Sequence, residues 1–276
     1  MTYTDIHTHT TFSPDGKDTP EDMISAARRL GVTHYGIADH FNLDYTVGLL
    51  FDGQPIPNID VAGYFTHLRE LQSRLKETAP DFHLTVGGEF GFAPFSACYD
   101  EYAEIIDRYH PDFIVNSIHT VGDSDCWFAH YFEGKSKQKA YSDYLDAVRK
   151  SLDAPYRYDI VAHLGYVARN ATYTDRKLRY CDFADMIDDI LRTVIAKGKI
   201  LEVNTSTRSA GSEFIPDVDI LARYRQLGGT KISISSDAHD VSRICEKYAL
   251  VVSALKTIGF SHLTVPDREN EIKLPL

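Results

Sequence analysis

The chain has 276 residues, a length that an α/β barrel can fill as one folding unit, so a single domain over residues 1–276 is expected. Its 43% hydrophobic and 25% charged residues are those of a soluble globular protein. A formal net charge of −11 argues against binding long nucleic acid, which takes lysine and arginine to displace counterions; a local positive site could still hold a nucleotide.

No apolar run approaches the ~20 residues that cross a bilayer. The start, Met1-Thr2-Tyr3-Thr4-Asp5, is polar with no apolar segment behind it, so neither a membrane partner nor a secretory signal is expected. Cys98, Cys126, Cys181 and Cys245 are scattered and form no Cys-x-x-Cys pair, the pattern of reduced thiols in a cytoplasmic protein.

In chain order, the first expected strand is residues 4–6, followed by His7-Thr8-His9 and a loop carrying Asp15. A helix over 19–30 has Thr19 as its cap, Pro20 and two acids in its first turn, and Gly31 as its stop. The second strand, 34–38, runs into Asp39-His40, with a helix over 64–77 behind it. The third, 83–87, ends in Gly87-Gly88-Glu89 before a helix at 100–109. The fourth, 113–116, opens with the unbroken apolar run Phe113-Ile114-Val115, as suits a parallel strand buried on both faces, and leads to His119 and a helix over 136–152. The fifth, 159–162, delivers His163 and precedes a helix over 183–197. The sixth, 200–203, is followed by a helix over 217–227 that stops at Gly228-Gly229. The seventh, 231–234, gives Ser235-Ser236-Asp237-Ala238-His239 and then a helix over 242–258. Such alternation predicts a parallel sheet, closed into a barrel or left open.

In a parallel barrel all strand C-termini open onto one face, where the active site sits. Six of the twelve histidines follow a strand: His7, His9, His40, His119, His163 and His239. Residues two apart on an extended strand point the same way, so His7 and His9 can reach one ion, as can Asp237 and His239. A single strand-end histidine is more often a core or surface residue than a ligand. The weight lies in six segments agreeing. Imidazole and carboxylate suit zinc, iron or manganese, and the donors outnumber the places around one tetrahedral ion. Two to three divalent ions sharing a carboxylate are therefore expected.

These residues carry a resemblance. Asp5-Ile6-His7-Thr8-His9-Thr10-Thr11-Phe12-Ser13-Pro14-Asp15-Gly16, Ala38-Asp39-His40, Gly88-Glu89, Ser117-Ile118-His119, His163 and Ser236-Asp237-Ala238-His239 resemble the polymerase-and-histidinol-phosphatase (PHP) family, in order and nearly end to end. Tyr131-Phe132-Glu133-Gly134-Lys135-Ser136, His163-Leu164-Gly165-Tyr166 and Leu201-Glu202-Val203-Asn204-Thr205-Ser206 are similar to its histidinol-phosphatase branch. The resemblance implies a distorted seven-stranded (β/α)7 barrel, TIM-like, with a trinuclear site. It implies His7, His9, Glu89 and Asp237 around one ion, Glu89, His119 and His163 around a second, and Asp15, His40 and His239 around a third. Asp15 stands where some relatives have histidine, and Gly165 where an acid is expected in the phosphatase branch.

The activity implied is hydrolysis of L-histidinol phosphate in histidine biosynthesis, through a hydroxide held between two ions. Glu89, Asp237 and His239 are the catalytic candidates. Arg169 and Arg208 follow strand ends and suit bidentate contact with phosphate. Asp39 either orients a ligand or caps the turn after it. The alternatives are a phosphatase or nuclease acting on nucleotides or other small phosphorylated metabolites, and a non-catalytic metal-stabilised module.

Overall fold

The structure, a computed structural model, describes residues 3–43, 56–92, 96–207, 211–268 and 270–276. Strands β1 (Tyr3–Thr8), β2 (Val32–Ile37) and β4 (His83–Val86) form a parallel three-stranded sheet. A second parallel sheet has the order β11 (Ile232–Ser235), β10 (Ile200–Asn204), β9 (Ile160–Val161), β6 (Val115–Ser117), β5 (Glu89–Gly91), β3 (His40–Phe41), and β7 (Thr120–Val121) pairs antiparallel with β8 (Ser124–Asp125).

The two sheets are joined at interrupted strands. Chain β2 continues into β3 after Ala38-Asp39, and β4 into β5 after Gly87-Gly88. Hydrogen bonds from Gly87 N to Ile37 O (2.8 Å) and Glu89 N to Asp39 O (2.9 Å) carry the ladder across both breaks. Glycine is required at the second break, because a Cβ on Gly87 would lie 2.6 Å from the Phe113 ring and one on Gly88 2.8 Å from Phe41. At the other end, His9 N donates to Ala238 O (2.8 Å) and Asp237 N to His7 O (2.9 Å), which ties β1 to the segment after β11.

Helices α1 (Pro20–Arg29), α2 (Val61–Thr78), α3 (Ser96–Tyr109), α4 (Lys137–Ser151), α5 (Ala184–Ala196), α6 (Val218–Gln226) and α7 (Tyr248–Ile258) connect the strands. The expected Thr19 cap is present, and Asp60, Ser136 and Asp217 likewise each accept a backbone N–H at the start of their helices. The expected helix over 242–258 is α-helical only from Tyr248. Buried Asp5 accepts the Cys245 N–H at 2.8 Å, and Cys245 and Lys247 adopt positive φ, so the chain cannot coil earlier. The fourth strand also starts later than expected, since Ile114 N donates to the Asp159 carboxylate (2.9 Å) rather than entering a ladder.

The large core cluster packs helices against strands. A second, separate cluster takes residues from successive strands and their ends: Ile6, Ala38, Phe113, Val115, Ile160, Ala162 and Ile200. Val265 joins it, with Ile272 and Leu274 packed against it, from a C-terminal antiparallel hairpin of β12 (His262–Asp267) and β13 (Asn270–Pro275) that was not expected. Among the described residues, no helix is long and apolar enough to cross a membrane.

Candidate metal centre

Apart from Asp15, which sits in the loop after β1, the expected ligands lie at or just beyond a strand terminus, and the interrupted strands explain how. His40 opens β3 and Glu89 opens β5, so the breaks at Ala38-Asp39 and Gly87-Gly88 set these side chains beside His7 and His9 of the first strand end. All nine expected residues come together. Glu89 is the hub: Oε1 lies 3.0 Å from His163 Nε2 and 3.3 Å from His119 Nε2, and Oε2 lies 2.6 Å from His40 Nδ1, 3.6 Å from His7 Nε2 and 3.8 Å from His9 Nε2. Asp237 Oδ1 is 3.1 Å from His9 Nε2. On the exposed side, Asp15 lies 3.2 Å from His239 Nε2 and 3.7 Å from His40 Nε2.

Among the described residues, three compact donor sets result: His7, His9 and Glu89; His40, Glu89 and His119; and His9, His40 and His239, each with ligand atoms within 4.8 Å of one another. They overlap the expected sets without reproducing them, because His40 and His9 each serve two.

The outward nitrogens of several rings are already committed. Ser13 Oγ donates to Asp39 Oδ1 (2.6 Å), so it accepts from His9 Nδ1 (3.2 Å), and the His9 proton sits on Nδ1. His7 Nδ1 donates to Glu202 Oε1 at 2.7 Å, and His239 Nδ1 to the Asp237 carbonyl at 3.0 Å. The inner Nε2 atoms then face one another, His7 to His9 at 3.2 Å and His40 to His239 at 3.4 Å. Glu89 Oε2 and His40 Nδ1 approach to 2.6 Å, yet neither has a hydrogen bond of acceptable geometry among the described residues. Lone pairs converging without hydrogen bonds suit cations, so the donor set fits divalent metal ions.

Electrostatics point the same way. Burial alone would push the Glu89 pKa up, but His119, His40 and His7 hold it well below the usual carboxylate range. Burial likewise opposes ionisation of Asp237, and Arg169 and His9 overcome it. His9 is held well below the ordinary imidazole value, by burial first and then by His239 and His40, so it is a neutral donor. Burial disfavours the charged form of His40, whereas Glu89 and Asp15 raise its pKa to about 9. The site is a buried array of carboxylates and imidazoles in which charge is strongly coupled.

The family model described as the PHP domain matches residues 5–206. The chain belongs to the PHP family. This PHP chain is 26% identical to the histidinol-phosphatase of Lactococcus lactis over 261 residues, covering 94% of the chain and 92% of that protein. It is 27% identical to a probable histidinol-phosphatase of Thermotoga maritima over 265 residues, 96% of each. The crystal structure of the Lactococcus lactis histidinol phosphate phosphatase, complexed with zinc, L-histidinol and phosphate, matches with a TM-score of 0.85 at 25% identity, over 98% of both chains.

Beside the metal centre of this PHP chain opens a cavity of about 570 Å³, lined by Asp15, His119, Trp127, Tyr166, Arg169 and His239 among others. Arg169 is buried and anchored, with Nη2 donating to Asn204 Oδ1 (2.8 Å) and Asp237 Oδ2 (2.9 Å). Arg208 lies outside the described residues. Gly165 has a φ of 119°, a conformation an L side chain rarely adopts, which accounts for glycine where an acid was expected.

The sequence leaves Asp39 with two readings, and the geometry favours the orienting one, reached through Ser13 rather than by direct contact. Asp39 accepts from Thr10 N, Thr10 Oγ1, Ser13 N and Ser13 Oγ, so it ties down the loop that carries Asp15 and, through Ser13, orients His9. Glu202 and Asn204 were missed as functional residues. The available signal was a polar pair two apart in the otherwise apolar strand Ile200-Leu201-Glu202-Val203-Asn204.

Proposed function

We propose that this PHP protein is a divalent-metal-dependent phosphomonoesterase that hydrolyses L-histidinol phosphate to L-histidinol and phosphate. The observation that carries the reading is Glu89, one buried carboxylate within 4 Å of five histidine rings, an arrangement in which neighbouring cations can share a ligand. Similarity to histidinol-phosphatases over almost the whole chain supports the choice of ester. The cavity has the size of a small-molecule site, which suits a small phosphorylated substrate.

In this reading His7, His9, Glu89 and Asp237 hold one ion, Glu89, His119 and His163 a second, and Asp15, His40 and His239 a third. Zinc, manganese and iron all suit such donors. Bound ions would supply a water deprotonated near neutral pH and positive charge for the phosphate oxygens. The chain's own residues do the rest. Glu89 and Asp237 stay ionised among the imidazoles and keep the donors in register. Arg169, held by Asn204 and Asp237 at the cavity wall, contacts a phosphate oxygen, with Arg208 as a second candidate. Of the two candidates for passing a proton to the leaving alcohol, His239 is the more exposed and fits better, because Asp237 stays ionised against Arg169 and His9.

The same reading takes residues 1–276 as one domain and the two sheets as one distorted seven-stranded (β/α)7 barrel. Its support is the ladder that runs on across the breaks in the second and third strands and the bonds from β1 to Asp237 and Ala238. The scattered cysteines, which form no Cys-x-x-Cys pair, support a cytoplasmic setting.

The test is phosphate release by protein stripped with a chelator and reloaded with zinc or manganese. The substrates are histidinol phosphate, a nucleoside monophosphate, a 3′,5′-bisphosphate and an aryl phosphate. A strong, metal-dependent preference for histidinol phosphate is expected. A nucleotide preference would overturn the substrate assignment, and inactivity of the metal-loaded protein on all four would reduce the chain to a metal-stabilised module.

A further inference from the structure

Strand β10 brings no expected ligand to the site, yet it carries a fully buried carboxylate, Glu202. Three donors from three parts of the chain converge on it. His7 Nδ1, from β1, lies 2.7 Å from Oε1. The backbone N–H of His163, just beyond β9, donates to Oε2 at 2.7 Å, and Asn204 Nδ2 donates to the same oxygen at 3.1 Å.

The consequences fall on both histidines. A carboxylate accepts only, so the His7 proton must sit on Nδ1, and Nε2 is turned toward Glu89 and His9. His163 has a φ of 21°, unusual for a side-chain-bearing residue, and its amide is pinned to Oε2. No neutral side chain of the same shape can do this. Glutamine would turn its NH2 group toward either the His7 N–H or the His163 N–H, donor against donor. Asn204 cannot flip to compensate, because its Oδ1 already accepts from Arg169 and Ser206.

We propose that Glu202 is a positioning residue that fixes the ring orientation and tautomer of His7 and the backbone of His163 for binding divalent metal. The inference rests on the reading of these two histidines as ligands. Its physical basis is that a carboxylate hydrogen-bonded to the outer nitrogen of a ligating imidazole holds the ring in place and raises its basicity.

Two measurements test it, neither of which reads phosphatase activity. In a zinc-competition titration against a chelating dye, Glu202→Gln should retain zinc about 10–100-fold more weakly than the wild type. A purely structural role would lower thermal stability without that change, so unaltered zinc affinity in a folded Glu202→Gln overturns the proposal. The second uses the zinc-loaded wild-type protein, labelled with ¹⁵N-histidine, and holds whether or not the variant folds. His7 should carry its proton on Nδ1, and a proton on Nε2 overturns the proposal. If no phosphate ester is hydrolysed but zinc retention falls as expected, the substrate reading fails and this one stands.

Discussion

His163 Nε2 lies 3.0 Å from Glu89 Oε1, while the other oxygen of the same carboxylate faces His40, His7 and His9. One carboxylate therefore serves opposite sides of the site through its two oxygens. Glu89→Gln keeps the shape but offers one oxygen and an NH2 group, which cannot bind a cation. The expected outcome is a fall in kcat/KM of at least about a hundredfold, roughly 2.7 kcal/mol of transition-state stabilisation. Circular dichroism should remain that of a folded protein. Near-normal turnover in this variant would sink the shared-ligand reading.

Asp39 takes four hydrogen bonds from Thr10 and Ser13 without solvent exposure. The loop it holds is tight: a Cβ on Gly16 would run into the Thr10 carbonyl oxygen. Asp39→Asn sets an NH2 group against donors and leaves at least one of them unpaired. Hydrogen bonds to a charged partner contribute about 1.5–3 kcal/mol each, so a loss of roughly 2–4 kcal/mol in urea unfolding is expected. Ser13→Ala removes one of the four bonds and should cost about 1.5–3 kcal/mol, and it should weaken metal retention by freeing the His9 ring. Equal stability of Asp39→Asn and wild type would contradict this account of the loop.

That the candidate metal-site residues would meet was legible because their chemistry recurs at one structural position. His7, His40, Glu89, His119, His163 and Asp237 each come shortly after an expected strand, and a parallel fold brings such positions to one end. Glu202 was not legible by that rule, since it lies inside its strand and acts through His7 rather than toward the cavity. Only the convergence of His7, His163 and Asn204, far apart in sequence, identifies it. The break before α7 was hidden for a similar reason: the residues around Cys245 read as helix, and what stops the helix is Asp5, 240 positions away. The C-terminal hairpin escaped because Pro266 and Pro275 interrupt both runs, which outweighed the strand-like alternation of Glu271-Ile272-Lys273-Leu274.

That hairpin supplies Val265, Ile272 and Leu274 to the cluster built from Ile6, Phe113, Val115, Ile160 and Ile200. Phe113 has no solvent exposure and packs over Gly87. Phe113→Ala should destabilise by about 3–5 kcal/mol, the range for deleting a buried aromatic ring. Val265→Asp should be at least as damaging, because an unpaired carboxylate in that cluster has no compensating donor to reach. Measured by denaturant midpoint, a loss below about 1 kcal/mol in both variants would mean that the hairpin is not part of the core.

At the start of β2 and β4, away from the metal centre, the rings of His34 and His83 stack with centroids 4.7 Å apart. Burial lowers the His34 pKa to about 4, and the neighbouring His83 pushes in the same direction. The unfolded chain would bind this proton near the ordinary value of about 6.5. Between those two values the unfolded state binds more protons than the folded one, so stability must fall as the pH drops through this window and is fully present above it. Asp5 works in the opposite sense, since burial raises its pKa to about 6 and protonation then favours the folded state. The comparison that isolates His34 is therefore the difference between wild type and His34→Gln in urea unfolding at several pH values from 7.5 to 4.5. The variant should lose less stability on acidification than the wild type does. Parallel curves across the whole window would show that the folded protein holds His34 at its ordinary pKa.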